Sequence, residues 1–248
     1  MKAVILCAGK GSRMEYLGEQ TPKVLMEVNG KSLLQRWTAY FKKYGITELC
    51  INTHHLAEKI EHAFGNGNNY GVHIQWYRQP GVMGTASVLK KFDLEKEKEP
   101  FVIVFGDTML TLDLAQLIKE HREKNAEATI LVNKHHEPWR KGVVTVNGDF
   151  RIVDIVEKPD IRTLSPNQYC VHVIMIVEPH LLKYIDTDQE WLVEHFFTKL
   201  IKQGMRIDAN DNEDASDDMN TVEDLKRLEA YLERIEGKAL KNNSGSSP

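Results

Sequence analysis

The sequence contains few cysteines and no long apolar run. Cys7, Cys50 and Cys170 are odd in number and lie among apolar residues, which excludes a disulfide framework and predicts buried, reduced thiols. No apolar stretch approaches the roughly 20 residues that a membrane-spanning helix needs, and the first one, Ala3 to Ala8, is too short for a signal-peptide core. These absences predict a cytoplasmic protein that does not enter a membrane.

An excess of positive charge is also absent. The 248 residues include 32 Lys or Arg and 36 Asp or Glu, which gives a formal net charge of −4. The overall charge therefore indicates neither nucleic acid nor an anionic membrane as a partner. Any anion-binding site has to be local, and the sequence leaves open whether the chain forms a homo-oligomer.

Short apolar segments rich in β-branched residues alternate with amphipathic segments. Buried strands are predicted at Ala3–Cys7, Leu49–Asn52, Val72–Trp76, Phe101–Phe105 and Ala128–Val132. Helices are predicted between these strands and, at the end of the chain, from about 221 to 235. This alternation is typical of an α/β fold with a doubly wound, mostly parallel, Rossmann-like sheet.

The pattern changes after Pro138. In "GVVTVNGDFRIVDIVEKP", two β-rich runs are joined by Asn147-Gly148, a strong signal for a hairpin. A further strand is expected at Val171–Val177. We therefore predict an antiparallel β excursion in the C-terminal half.

The stretch "VILCAGKGSRMEYLGEQTPKVL" places Gly9 and Gly11 directly after the first strand, followed by Arg13 and Lys23. Glycines let backbone N–H groups approach an anion, and the carboxyl ends of parallel strands are where such folds bind ligands. Neither a Walker A loop nor a Rossmann fingerprint fits, because each lacks a required glycine. A tight turn with solvated charges is the simpler alternative, but the spacing of the whole set favours a phosphate site.

The longer segment "LCAGKGSRMEYLGEQTPKVLMEVNGKSLL" resembles the signature of the sugar-phosphate nucleotidyltransferases. That pattern is L-x-A-G-x-G-x-R followed by P-K-x-L, and the ten positions from Arg13 to Lys23 match the group that acts on glucose, mannose and related sugars. A second block, Ile51 to Phe92, is similar to the mannose-1-phosphate guanylyltransferase-like branch. The resemblance implies an NTP and a sugar 1-phosphate as substrates, pyrophosphate as a product and Mg²⁺ as cofactor.

The resemblance also implies roles for individual residues. It assigns nucleotide binding to Ala8, Gly9, Gly11, Ser12, Arg13, Gln79, Gly84 and Thr85, sugar-phosphate binding to Gly142, Glu157 and Lys158, and catalysis to Arg13, Lys23, Asp107 and Asp218. Asp107 and Asp218 would hold Mg²⁺, with Asp217 left open as an alternative to Asp218. The Gln79 amide would recognise an edge of the base, since it can both donate and accept.

The implied domain organisation is a single nucleotidyltransferase domain, residues 1–236. It comprises a nucleotide-binding half, 1–137, and a sugar-phosphate-binding half, 138–236. A polar tail, 237–248, is predicted to be disordered.

Several simpler interpretations stay open. Asp107 alone would suit a strand-terminating turn, Thr85 a helix N-cap, and Glu157-Lys158 the surface end of a strand. An acidic residue such as Asp218 also suits the start of a helix. The order of the motifs along the chain favours the functional interpretation.

Two other functions also stay open. A glycosyltransferase could hold a metal ion at Asp186-Thr187-Asp188. A catalytically silent sugar-nucleotide sensor is the second alternative. The segment Val171-His172-Val173, where the family usually has Asn-Ala-Gly, favours either this sensor or an unusual sugar.

Overall fold

The structure, a computed structural model, describes residues 1–9, 20–109, 112–134, 138–160, 162, 165–211 and 222–244. Strands β1 to β11 span Lys2–Leu6, Glu27–Val28, Lys31–Ser32, Glu48–Thr53, His73–Arg78, Phe101–Phe105, Ala128–Asn133, Gly142–Val146, Ile152–Glu157, Gln168–Val177 and Ile207–Asp211. Helices α1 to α5 span Leu33–Lys43, Ala57–Phe64, Leu114–Glu123, Thr198–Lys202 and Val222–Ser244. Shorter helical segments include Lys23–Leu25, Ser87–Phe92, Pro179–Tyr184 and Leu192–Phe197.

Nine of the described strands form one sheet. The order is β11-β7-β10-β6-β1-β4-β5, with β8 paired to β10 and β9 paired to β8. Among these nine, all except β9 and β10 run in the same direction. The predicted doubly wound, mostly parallel sheet is therefore confirmed. The antiparallel excursion is confirmed too, and it consists of β8, β9 and β10.

Hydrophobic layers cover both faces of the sheet. Along β1, Ala3 and Ile5 pack with the α1 side chains Trp37 and Phe41, whereas Val4 and its alternate neighbours pack on the opposite face with the 87–92 and 192–197 segments. Alternate side chains of a strand point to opposite faces. A strand that is apolar at every position therefore needs cover on both sides, and the two layers supply it.

Strand β10 lies antiparallel between β6 and β7 in the middle of the sheet. Ile174 pairs with Val104 of β6, while the N-terminal residues 168–170 pair with β8. The pairing with β7 shifts register between Val171 and Met175, within the segment that departs from the family pattern. One strand thus connects the parallel sheet to the hairpin.

The β8–β9 hairpin closes through a longer loop than a two-residue Asn-Gly turn. The Asn147 side-chain oxygen accepts hydrogen bonds from the N–H groups of Asp149 and Arg151, at 3.1 and 3.0 Å. Phe150, not Gly148, adopts a positive φ, of 57°. The Asn147 side chain therefore organises the turn in a way that the dipeptide signal does not specify.

The last helix is longer than the sequence predicted. Helix α5 continues to Ser244, into the segment 237–248 that was expected to be disordered. Residues 238–241 are Lys-Ala-Leu-Lys, all good helix formers. Like the other described helices, α5 is not apolar enough to cross a bilayer.

Candidate active site

A cleft of about 280 Å³ lies where four parallel strands end. Its volume is near the lower end of the range for ligand pockets. Six of the predicted site residues line it: Ala8, Gly9, Lys23, Gln79, Thr85 and Asp107. They follow the carboxyl ends of β1, β5 and β6, which is where a doubly wound sheet binds its ligands.

Four predicted residues lie outside the described part of the chain. They are Gly11, Ser12, Arg13 and Asp218, and Asp217 lies there as well. Their assignments stay predictions.

The chain leaving β1 is held against its neighbouring strands. The buried Asn52 side chain of β4 accepts a hydrogen bond from the Cys7 N–H, with N···Oδ1 at 2.9 Å. On the other side, a Cβ at Gly106 would lie 2.8 Å from the Cys7 sulfur. Only glycine lets the β6 turn approach this closely, so Gly106 brings Asp107 next to the Gly9 loop.

Lys23 and Asp107 form an ion pair on the cleft wall. The Lys23 Nζ lies 3.4 Å from the Asp107 Oδ2, and the two side chains are 9% and 33% exposed. Lys23 begins a helical turn after Pro22, and the Asp107 turn is anchored because the Trp37 indole N–H donates to the Thr108 carbonyl at 2.7 Å. A cation and a carboxylate are therefore fixed at the same point of the cleft.

The Asp107 carboxylate has the chemistry of a magnesium ligand. Mg²⁺ prefers oxygen ligands and usually takes one or two protein carboxylates, with substrate phosphates and waters completing its shell. A carboxylate that is one-third exposed on the cleft wall satisfies that requirement. Within the described ranges, no group of three or more His, Cys, Asp or Glu side chains is placed to hold a metal ion, so a site here would depend on a second ligand from outside those ranges or from substrate.

Gln79 lies at the end of β5 and faces the cleft. Its N–H donates to the Thr53 carbonyl at 2.8 Å, and its carbonyl lies 3.2 Å from the Nδ1 of His54. His54 also lines the cleft and is not among the residues predicted from the sequence. Its position along the chain could have indicated it, since His54 directly follows the carboxyl end of β4, at the edge where the other site residues lie.

A connection between the two halves of the chain fixes Gly84 and Thr85. A Cβ at Gly84 would lie 2.1 Å from the Glu190 carbonyl oxygen, and the Gly84 N–H donates to the Asp188 carbonyl at 3.1 Å. The Thr85 hydroxyl accepts a hydrogen bond from the Leu192 N–H at 3.0 Å. Residues 186–192, which we call the bridging segment, are thereby packed against the 82–87 loop.

The bridging segment contains the Asp-x-Asp sequence considered for a glycosyltransferase. The Lys199 Nζ lies 2.7 Å from the Asp186 carboxylate and 3.1 Å from the largely buried Glu190, and Lys91 lies 3.1 Å from Asp188. The Lys199 ammonium lowers the pKa of Asp186 below its ordinary value. Both aspartates are paired with lysines in a structural connection, which argues against a metal site there.

The three predicted sugar-phosphate residues lie together, but they do not line the cleft described above. Gly142 is opposite Glu157 in the β8–β9 pairing, and Val193 packs against Gly142. Lys158 adopts a φ of 47°, and its Nζ lies 3.4 Å from Glu157. An exposed ammonium and its carboxylate partner therefore lie at the end of the hairpin.

The thiol beside the cleft is predicted to be unreactive. Burial raises the pKa of Cys7 well above its ordinary value, and the Asp107 carboxylate raises it further; burial also raises the pKa of Cys50 to about 12. A raised thiol pKa leaves little thiolate at pH 8. We expect Ellman's reagent to label none of the three cysteines rapidly in the native protein and all of them after unfolding; rapid native labelling at Cys7 would contradict this.

Comparisons with known proteins identify the family. A sequence model described as Nucleotidyl transferase matches residues 2–235. The chain is 31% identical over 222 residues to a UTP–glucose-1-phosphate uridylyltransferase from Synechocystis, covering 83% of this chain and 56% of that protein. It is 34% identical over 170 residues to an N-acetylmuramate α-1-phosphate uridylyltransferase from Neisseria meningitidis, covering 65% of this chain and 69% of that protein.

Solved structures share the fold. HddC from Yersinia pseudotuberculosis aligns with a TM-score of 0.74 and 20% identity, over 93% of this chain and 99% of that one. A Bacillus anthracis protein in complex with sucrose aligns with a TM-score of 0.80 and 23% identity, over 93% and 94%. The match of the sequence model over residues 2–235 shows that the chain belongs to the nucleotidyl transferase family.

Proposed function

We propose that the protein transfers a nucleotidyl group from an NTP to a sugar 1-phosphate. A phosphate oxygen of the sugar 1-phosphate attacks the α-phosphorus in line, the bond from that phosphorus to the bridging oxygen breaks, and pyrophosphate leaves with the electron pair. The observation that carries this proposal is the Lys23–Asp107 pair, 3.4 Å apart, beside the backbone of Ala8 and Gly9. The names of the Synechocystis and Neisseria relatives describe the same reaction class.

Positioning and charge neutralisation would supply the catalysis, without a covalent intermediate. In our proposal Arg13 and the backbone from Gly9 to Ser12 hold the triphosphate. Lys23 stabilises the negative charge that develops around the α-phosphate. Because Lys23 is buried and fixed by Asp107, its charge is preorganised and need not be reoriented during the reaction.

We propose Mg²⁺ as the cofactor, held by Asp107 together with Asp218. When bound, this ion would neutralise charge on the phosphate oxygens. Asp107 has a second task that depends only on the protein, since it holds the Lys23 ammonium in place.

On the sugar side, Lys158 would orient the nucleophilic phosphate, Glu157 would bind sugar hydroxyls, and Gly142 would let the backbone approach the sugar. Gln79, Gly84 and Thr85 would surround the base. The Thr85 hydroxyl accepts from Leu192 and can still donate to a ligand. We also propose that residues 1–236 act as a single domain and that the protein is cytoplasmic, since its three cysteines are few, odd in number and buried.

The substrates can be identified by testing pairs of an NTP and a sugar 1-phosphate for binding and turnover. Relatives include uridylyltransferases and guanylyltransferases for several sugars, so each of the four NTPs is paired with a set of sugar 1-phosphates in the presence of Mg²⁺. Thermal shifts detect binding by mass action, and pyrophosphate release detects turnover. Pyrophosphate from one pair supports the proposal. Binding without pyrophosphate would instead indicate the sensor, and release of a nucleoside diphosphate from a nucleotide sugar would indicate a glycosyltransferase.

Arg13→Ala is expected to lower turnover by about 100-fold, the scale for losing one preorganised charge donor, without changing the melting temperature. Arg122→Ala is the control, because Arg122 is exposed on α3, where it pairs with Glu99. Equal turnover in the two variants would remove Arg13 from the mechanism.

A further inference from the structure

Two exposed apolar side chains line the cleft, and the proposed chemistry uses neither. Val82 is 56% exposed and Trp191 is 37% exposed, and both line the same cleft as Gln79 and Asp107. They belong to opposite halves of the chain. Large apolar side chains that stay exposed together at a cleft are typical of a surface that a ligand covers.

The backbone of Trp191 is fixed, although its side chain is exposed. Its N–H donates to the Nδ1 of His195 at 3.1 Å, and its carbonyl accepts from the N–H groups of His195 and Phe196 at 3.2 and 3.0 Å. These bonds place Trp191 at the start of the helical segment Leu192–Phe197. The backbone that carries the indole is therefore fixed, which removes the cost of ordering a loop from the entropy cost of binding.

The bridging segment keeps this indole beside the loop that is proposed to surround the base. On either side of Trp191, the Glu190 carbonyl accepts from Ala86 at 2.9 Å, and the Leu192 N–H donates to Thr85 at 3.0 Å. The neighbouring Gln79 amide forms no side-chain hydrogen bond with the other described residues, and it lines the cleft. An apolar surface and an available polar amide thus occur in one cleft.

We propose that Trp191, together with Val82, forms the surface on which the nucleobase of the NTP packs. This inference rests on the proposed function and deepens it. Aromatic side chains stack on any base, so Trp191 would supply affinity for nucleotides over bare phosphates, while the Gln79 amide would distinguish base edges. Because Trp191 lies in the C-terminal half, the nucleotide site would be built from both halves of the chain.

Binding is measured by calorimetry with each of the four NTPs and with inorganic tripolyphosphate, in Mg²⁺ and without sugar phosphate. Trp191→Ala is expected to weaken binding of the preferred NTP by about 10- to 100-fold and to leave tripolyphosphate binding within about twofold. Trp191→Phe retains an aromatic ring and should restore most of the affinity. A generally damaged site would weaken the binding of both the NTP and tripolyphosphate. The ratio of the two affinities therefore separates the loss of base stacking from a structural effect.

Tryptophan fluorescence supplies a second readout. The preferred NTP should alter the emission of the wild type and of Trp139→Phe, which removes a similarly exposed tryptophan outside the cleft lining, but not that of Trp191→Phe. An unchanged ratio of NTP to tripolyphosphate affinity in Trp191→Ala would overturn the inference even if the enzyme makes pyrophosphate normally. Base-dependent binding that requires Trp191, with no pyrophosphate formed from any substrate pair, would support the inference and overturn the proposed function.

Discussion

Asp107→Asn is expected to lower turnover by about 10³-fold, equivalent to about 4 kcal/mol of transition-state stabilisation. Asparagine has nearly the same shape, so the turn anchored by Trp37 and Thr108 should persist. The substitution removes the charge that holds the Lys23 ammonium, 3.4 Å away, and it removes a proposed magnesium ligand. Two sources of charge stabilisation at the α-phosphate are therefore lost together.

The concentration of Mg²⁺ that gives half-maximal rate separates these two effects. It should rise by at least about tenfold in Asp107→Asn, whereas Lys23→Met should lower turnover with little change in the Mg²⁺ requirement. Asp93→Asn is the matched control, because Asp93 is an exposed partner of Lys96. Turnover in Asp107→Asn within about threefold of the control would exclude Asp107 from the active site.

Gly84→Ala is expected to destabilise the native state by about 3 kcal/mol, near the upper end for a forced steric contact. Its Cβ would lie 2.1 Å from the Glu190 carbonyl oxygen and 2.3 Å from the carbonyl carbon. Neither group can move as a flexible side chain would, so the 82–87 loop and the bridging segment must separate. For a protein of this size the melting temperature should fall by roughly 6–12 °C.

Gly81→Ala, three positions earlier in the chain, is the control for this substitution. A Cβ there has no neighbour within 4 Å, so its thermal unfolding should match that of the wild type. Calorimetry of both variants measures the difference. If Gly84→Ala melted together with Gly81→Ala, the close packing of the bridging segment would be contradicted.

The sequence predicted those site residues that directly follow the ends of neighbouring strands. Gly9 follows β1, Gln79 follows β5 and Asp107 follows β6, and parallel strands bring such ends to one edge. Periodicity predicted the strands, and the family resemblance supplied the roles of Gln79 and Asp107. In the structure all three residues line one cleft.

The bridging segment could not be predicted in the same way. Ser87 and Glu190 are 103 positions apart, yet their backbones and the Ser87 hydroxyl share hydrogen bonds. No local pattern encodes such a contact, because it depends on how two loops pack. Trp191 therefore looks like an ordinary residue in the sequence, and nothing in the sequence indicates that Gly84, a predicted nucleotide-binding residue, must also leave room for the Glu190 carbonyl.

The central position of β10 has a consequence for synthesis of the chain. Val104 pairs with Ile174, and Ile130 pairs with Met175, so β6 lacks a partner on one edge until β10 has left the ribosome. β7 lacks partners on both edges at that stage, because its other neighbour, β11, is made after β10. Contacts so distant in sequence form slowly, and apolar strands with open edges are prone to pair with other chains. The nascent N-terminal half is thus the stage most exposed to aggregation, and β6 and β7 are fully paired only when β10 and β11, which are made later, have joined the sheet.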